Sequence, residues 1–177
     1  MKHSIFLISF VVFMSLCCVV NAQQQGVPGE TSTAVTTISI SVLPNILITD
    51  VQDIYLDIQD RTQDVVIDQD FCVVGNTTGN YVLQASGANN PGAPFQLIGQ
   101  DGEVLPFEMT FNGDIEAQVD AELAPGIDSP PFELENRGLS CGGAPNARMS
   151  ITFKAEDLIF ASAGVFSGDL ALTVAIE

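Results

Sequence analysis

Seven aspartates, Asp50, Asp53, Asp57, Asp60, Asp64, Asp68 and Asp70, crowd one stretch of the chain. Clustered carboxylates supply the hard oxygen ligands that calcium takes, which makes Asp50, Asp53 and Asp57 the candidate metal ligands. The run lacks the D-x-D-x-D-G order of a calcium loop, however. Asp57 and Asp68 also fall on outward positions of alternating segments, where charge discourages edge-to-edge pairing of sheets. A solvated acidic edge, with no metal and no cofactor, is the reading carried forward. Paired carboxylates could also hydrolyse glycosides, but among 22 Asp and Glu no pair is singled out by its spacing. Asn76-Thr77-Thr78 fits a glycosylation acceptor and is read more simply as a turn. Gly142-Gly143 lacks the lysine and helix of a phosphate loop and is also read as a turn.

The single histidine, His3, sits in an N-terminal leader. Met1-Lys2-His3 is basic, Ile5 to Val20 is almost wholly apolar, and Val20-Asn21-Ala22 offers a signal-peptidase site. The apolar run falls short of the ~20 residues a membrane-spanning helix needs. Residues 1–22 are therefore expected to be a signal peptide, with no transmembrane segment. Leu16, before Cys17, is too large for lipoprotein processing, so no lipid anchor is expected. Losing Lys2 leaves 4 basic residues against the 22 acidic ones, a net charge of −18. Without histidine the exported chain cannot build a Ser–His–Asp or Cys–His centre, or the usual zinc sites. With so few cations it is no nucleic-acid binder. No enzymatic activity is expected.

Export also bears on the cysteines. Cys72 and Cys141 are the two that remain after the leader, and in an oxidising compartment such a pair is expected to form a disulfide. Closing a loop of ~70 residues constrains the unfolded chain by about 4 kcal/mol. The alternative is two buried free thiols.

Period-two alternation organises the rest. Residues 23–33 are polar, with Pro28 and two glycines, and read as a flexible extension. Ala34, Thr36, Ile38, Ile40 and Val42 then share one face of an alternating, β-branched segment. Further strands are predicted at Ile54–Ile58, Val65–Val73, Tyr81–Ala85, Phe95–Ile98, Leu105–Phe111 and Ala147–Phe153. Pro106 places its strand near a sheet edge or at a bulge. Residues 115–140 read as a long connection with at most one short strand, Ile115–Val119. Residues 156–163 read as a short helical turn. Phe166 to Ile176 alternates to the C-terminus, which predicts one strand of roughly 36 Å. The sum is an all-β chain forming a single antiparallel sandwich of the immunoglobulin-like kind. An outer-membrane barrel fits poorly, because the chain has no Trp and only Tyr55 and Tyr81 for aromatic girdles.

The closing stretch, Ala163-Gly164-Val165-Phe166-Ser167-Gly168-Asp169-Leu170-Ala171-Leu172-Thr173-Val174, resembles the last strand of bacterial pilus subunits. The order of leader, polar extension, alternating strand, early cysteine (Phe71-Cys72-Val73) and long C-terminal strand is similar too. The mature chain thus resembles exported pilins of the chaperone–usher kind, including the spore-coat-protein-U-like group. Many such subunits pair two early cysteines, whereas Cys141 lies late. The resemblance implies a sandwich lacking one strand, completed first by a periplasmic chaperone and then by the extension of another subunit. On that basis Ile38, Ile40 and Val42 belong to the donor strand, and Phe166, Leu170, Leu172 and Val174 to the acceptor edge. Residues 23–42 are then an extension and 43–177 the pilin-like domain. Residues 34–42 could equally be the domain's own first strand, and both readings stay open here. The implied function is a surface-fibre subunit used in adhesion or biofilm, reached by export through the periplasm and an outer-membrane usher. The second reading is a self-contained secreted module, calcium-dependent through the acidic run, that binds a glycan or protein.

Overall fold

The computed structural model describes residues 25–87, 92–117 and 119–177, so the expected signal peptide lies outside the described residues. The chain divides into two units, Met1–Val42 and Leu43–Glu177. In the first, residues 36–42 carry no strand, and Ile38, Ile40 and Val42 are 82%, 85% and 79% exposed.

Among the described residues the second unit holds eleven strands and one short helix. A five-stranded antiparallel sheet has the order β1 (Ile46–Thr49), β2 (Val65–Gly75), β9 (Ala147–Phe153), β6 (Glu108–Asn112), β7 (Ala121–Glu122). Opposite it lie two three-stranded sheets. One is ordered β11 (Leu170–Ile176), β3 (Gly79–Gly87), β8 (Phe132–Leu134), and the other β10 (Phe166–Ser167), β4 (Gln96–Gly99), β5 (Val104–Pro106). Every ladder between these strands is antiparallel, and among the described residues each sheet ends in edge strands rather than closing into a barrel. Helix α1 (Ala155–Phe160) buries Leu158.

Alternation explains the core. β9 reads Ala147, Met149, Ile151 and Phe153 inward, all buried, with Arg148, Ser150 and Thr152 on the other face. With Phe71, Val73, Tyr81, Leu83, Phe111 and Leu134 from facing strands, Ala147 and Met149 form the main core. Phe111 is its aromatic hub, with ring centroids 5.0 Å from Phe132, 5.9 Å from Phe71 and 6.4 Å from Tyr81. Burial pushes the Tyr81 phenol pKa up, and its hydroxyl donates to the Gly113 carbonyl at 3.4 Å. Leu105, Ile151, Phe153 and Leu158 make a second cluster.

The C-terminal half of β2 is buried on both faces, since Cys72 and Val74 point away from the main core and are covered by Cys141. Cys72 and Cys141 form a disulfide, with Cα atoms 6.0 Å apart. Here β9 no longer flanks β2, and the Asn146 side chain takes its place. The Val73 N–H donates to Asn146 Oδ1 at 2.9 Å, and Asn146 Nδ2 donates to the Val73 carbonyl at 2.9 Å. A buried backbone must find such partners.

Four expectations are corrected. Residues 54–58 form no strand: Asp50 adopts φ 66°, which turns the chain out of the β1 ladder, and Tyr55 and Leu56 stay exposed. The Leu105–Phe111 stretch is two strands. Pro106 takes a non-hydrogen-bonded position of the β5–β4 ladder, which ends as the Phe107 N–H donates to the Phe95 carbonyl at 3.0 Å, and from Glu108 the chain joins β9 instead. No strand forms within 115–117, which turn on Asp114, while β7 and β8 arise further on. The C-terminal stretch is also divided: Phe166 and Ser167 pair with β4, and only from Leu170 does the chain pair with β3. Gly168 permits that crossing, because a Cβ there would sit 3.1 Å from the Gln96 carbonyl oxygen and 3.2 Å from Leu97 Cδ2. Alternation survives the crossing unbroken, so a sequence pattern cannot reveal it.

Candidate functional site: a groove between two unpaired edges

β1 pairs with only Cys72–Gly75 of β2. Beyond Thr49, the side of β2 from Val65 to Phe71 that faces away from β9 has no strand partner among the described residues. Across the sandwich, β11 is likewise an edge strand, with β3 its one ladder partner among the described residues. Between these two edges lies a groove of about 310 Å³. Its floor and walls are Ile67 of β2, Met149, Ile151 and Phe153 of β9, Leu97 and Phe107, and Leu170 and Leu172 of β11. Residues 51–54 border it on one side, and Gln69 Nε2 tethers that border by donating to the Gln52 carbonyl at 2.6 Å.

The lining is mainly apolar side chains, with Gln52, Asp53, Gln96 and Asp169 among them. The groove offers apolar surface and, at its rims, unsatisfied strand backbone, which together match an extended alternating peptide. Of the four residues assigned to an acceptor edge, Leu170 and Leu172 line the groove. Val174 packs against the main core, further along β11. Phe166 stands on β10 against the second cluster, in a different sheet. Ile67, Met149, Ile151 and Gln69 were not singled out from the sequence. Gln69 had a visible signal, as the one polar residue in the inward series Val65, Ile67, Gln69, Phe71, Val73.

The acidic run is dispersed. Asp70 faces Arg148 across the β2–β9 ladder, accepting from Nε at 2.5 Å and Nη2 at 3.0 Å. That bidentate hydrogen bond lowers the Asp70 pKa and raises that of Arg148. Asp68 accepts from the Ser150 hydroxyl at 2.6 Å. Asp64 accepts from the Ala155 N–H at 2.8 Å, the main cause of its lowered pKa. Lys154 bridges Glu108 at 3.0 Å and Asp64 at 3.4 Å, and its pKa rises chiefly through Glu108. Asp60 is lowered by the Thr62 hydroxyl. As for the candidate calcium ligands, Asp50 accepts from its neighbour Thr49, Asp53 from Tyr55, and Asp57 is exposed. Among the described residues no three acidic, histidine or cysteine side chains gather around one point.

Fold and groove together define an antiparallel β-sandwich with two open edges. No protein-family model matches the chain, and no curated protein does. Among solved structures it is similar to a chain of a chaperone–tip adhesin complex from CFA/I fimbriae biogenesis, with a TM-score of 0.54 and 15% identity. The match covers 75% of this chain and 42% of that one, so less than half of that chain's length is spanned. At such identity the likeness is one of fold. No helix among the described residues is long and apolar enough to cross a membrane.

Proposed function

We propose that the chain is a non-enzymatic subunit of an extracellular fibre used in adhesion or biofilm. In this reading, residues 34–42 of one copy add as a strand in the groove of the next. The observation that carries it is the groove itself, lined mainly by apolar side chains, between two strand edges that each lack a partner on one side among the described residues. The complementary observation is Ile38, Ile40 and Val42, three alternating apolar side chains left exposed in the extension. Burying each would contribute about 1.5–3 kcal/mol, besides the ladder hydrogen bonds. Export through the periplasm, with a chaperone shielding the groove and an outer-membrane usher releasing subunits, belongs to the same reading. The fold likeness to a chain from a fimbrial chaperone–adhesin complex supports it.

The test is electrophoresis of the purified protein without boiling. A heat-sensitive ladder is expected, and it should vanish when residues 25–42 are deleted. A strictly monomeric chain, unaltered by that deletion, would overturn the proposal.

A further inference from the structure

We infer that Gln69 sets the register of the incoming strand by pairing with Thr36 of the donor copy, an assignment that rests on the strand-addition reading above. Gln69 stands on the inward face of β2 between Ile67 and Phe71, opposite Met149. Ile67, Met149 and its hydrogen-bond partner Gln52 all line the groove. Its Nε2 is satisfied, but its Oε1 is buried and accepts no hydrogen bond among the described residues. A buried amide oxygen left unpaired is destabilising, so a donor delivered to that point is selected over an apolar group.

The donor segment carries one such group on the relevant face. Its inward positions are Ala34, Thr36, Ile38, Ile40 and Val42, and only Thr36 bears a hydroxyl. Direction and spacing agree with this pairing. The chain reverses between β2 and β3 over Asn76–Thr78, and β11 is antiparallel to β3, so β2 and β11 run the same way. A strand laid between them can therefore be antiparallel to both, the better ladder. With Thr36 against Gln69, Ile38 falls opposite Ile67 and Ile40 opposite Val65, over Ile151 and Phe153. A slip of two residues would set Ala34 or Ile38 against the amide oxygen. A slip of one would turn the whole apolar set outward.

The probe is a fluorescent synthetic peptide of residues 32–42 added while the full-length chain refolds, with dissociation followed afterwards. Against the unaltered chain, Thr36→Val in the peptide should weaken binding by about five- to tenfold, while Thr36→Ser retains it. Against a Gln69→Leu chain, the unaltered and Thr36→Val peptides should bind alike. The peptide series on the unaltered chain stands even where Gln69→Leu fails to fold. Thr36→Val having no effect there, or the same effect on both chains, overturns the register assignment and leaves strand addition intact. Failure of every peptide to bind removes strand addition itself, and the register with it.

Discussion

Truncating Ile40 separates a strand that serves another copy from one that serves its own domain. In the single chain Ile40 is 85% exposed, so Ile40→Ala takes almost nothing from the packing of that chain. In a filled groove the same change removes three buried carbons, at about 0.8 kcal/mol each, or roughly 2 kcal/mol per junction. Since about 1.4 kcal/mol is a factor of ten, each junction should weaken roughly thirtyfold. The assay has two arms. Sedimentation over a concentration series reads the association, and thermal unfolding of the dissociated monomer reads the fold. The expected outcome is a large rightward shift in association with an unchanged melting temperature. A monomer that melts several degrees lower, with association unaltered, would place Ile40 in its own domain's first strand and refute the reasoning.

Three further outcomes follow from particular contacts. Replacing Cys72 and Cys141 together by alanine should lower stability by about 4 kcal/mol, read from urea unfolding, because the bridge closes a loop with a sequence separation of 69. Asn146→Ala strips both backbone partners from Val73 and should destabilise by about 2–4 kcal/mol, against a small effect for Asn136→Ala on the same urea curve. Asp70→Asn should lower stability by only about half a kcal/mol at neutral pH, since the pair with Arg148 is substantially exposed. The folded-state pKa of Asp70 lies below its ordinary 3.8, so its contribution is present above that value and lost as pH falls through the depressed one. Unaltered and Asp70→Asn chains should therefore converge in acid, and a difference that persists there would contradict the assignment.

Much of the architecture was legible before any coordinates, because a strand with one buried face must alternate with period two. Ala147–Phe153 is the plainest case, and Val65–Val73 is nearly as plain. The same rule misled where alternation outlasted pairing. Residues 54–58 alternate yet find no ladder, since Asp50 diverts the chain. Phe166–Ile176 alternates through a change of sheet at Gly168. The apolar extension was visible as a pattern and the resemblance implied one wall of the groove, Leu170 and Leu172, but the other walls were not legible. Its walls come from β2, β9, β11 and the segment after β1, brought together only by the fold.

Composition and order alone determined that this is an acidic all-β chain whose single histidine is His3, with Cys72 and Cys141 suited to one bridge. Those properties depend on residue types and near neighbours, which a linear string records in full. Tertiary structure decided which edges stay unpaired among the described residues, that Asp64, Asp68 and Asp70 bond to groups on β9 and α1, and that Gln69 keeps an unsatisfied oxygen beside a groove. Each is a relation between residues far apart in the chain, fixed by how the sheets pack and where β1 stops.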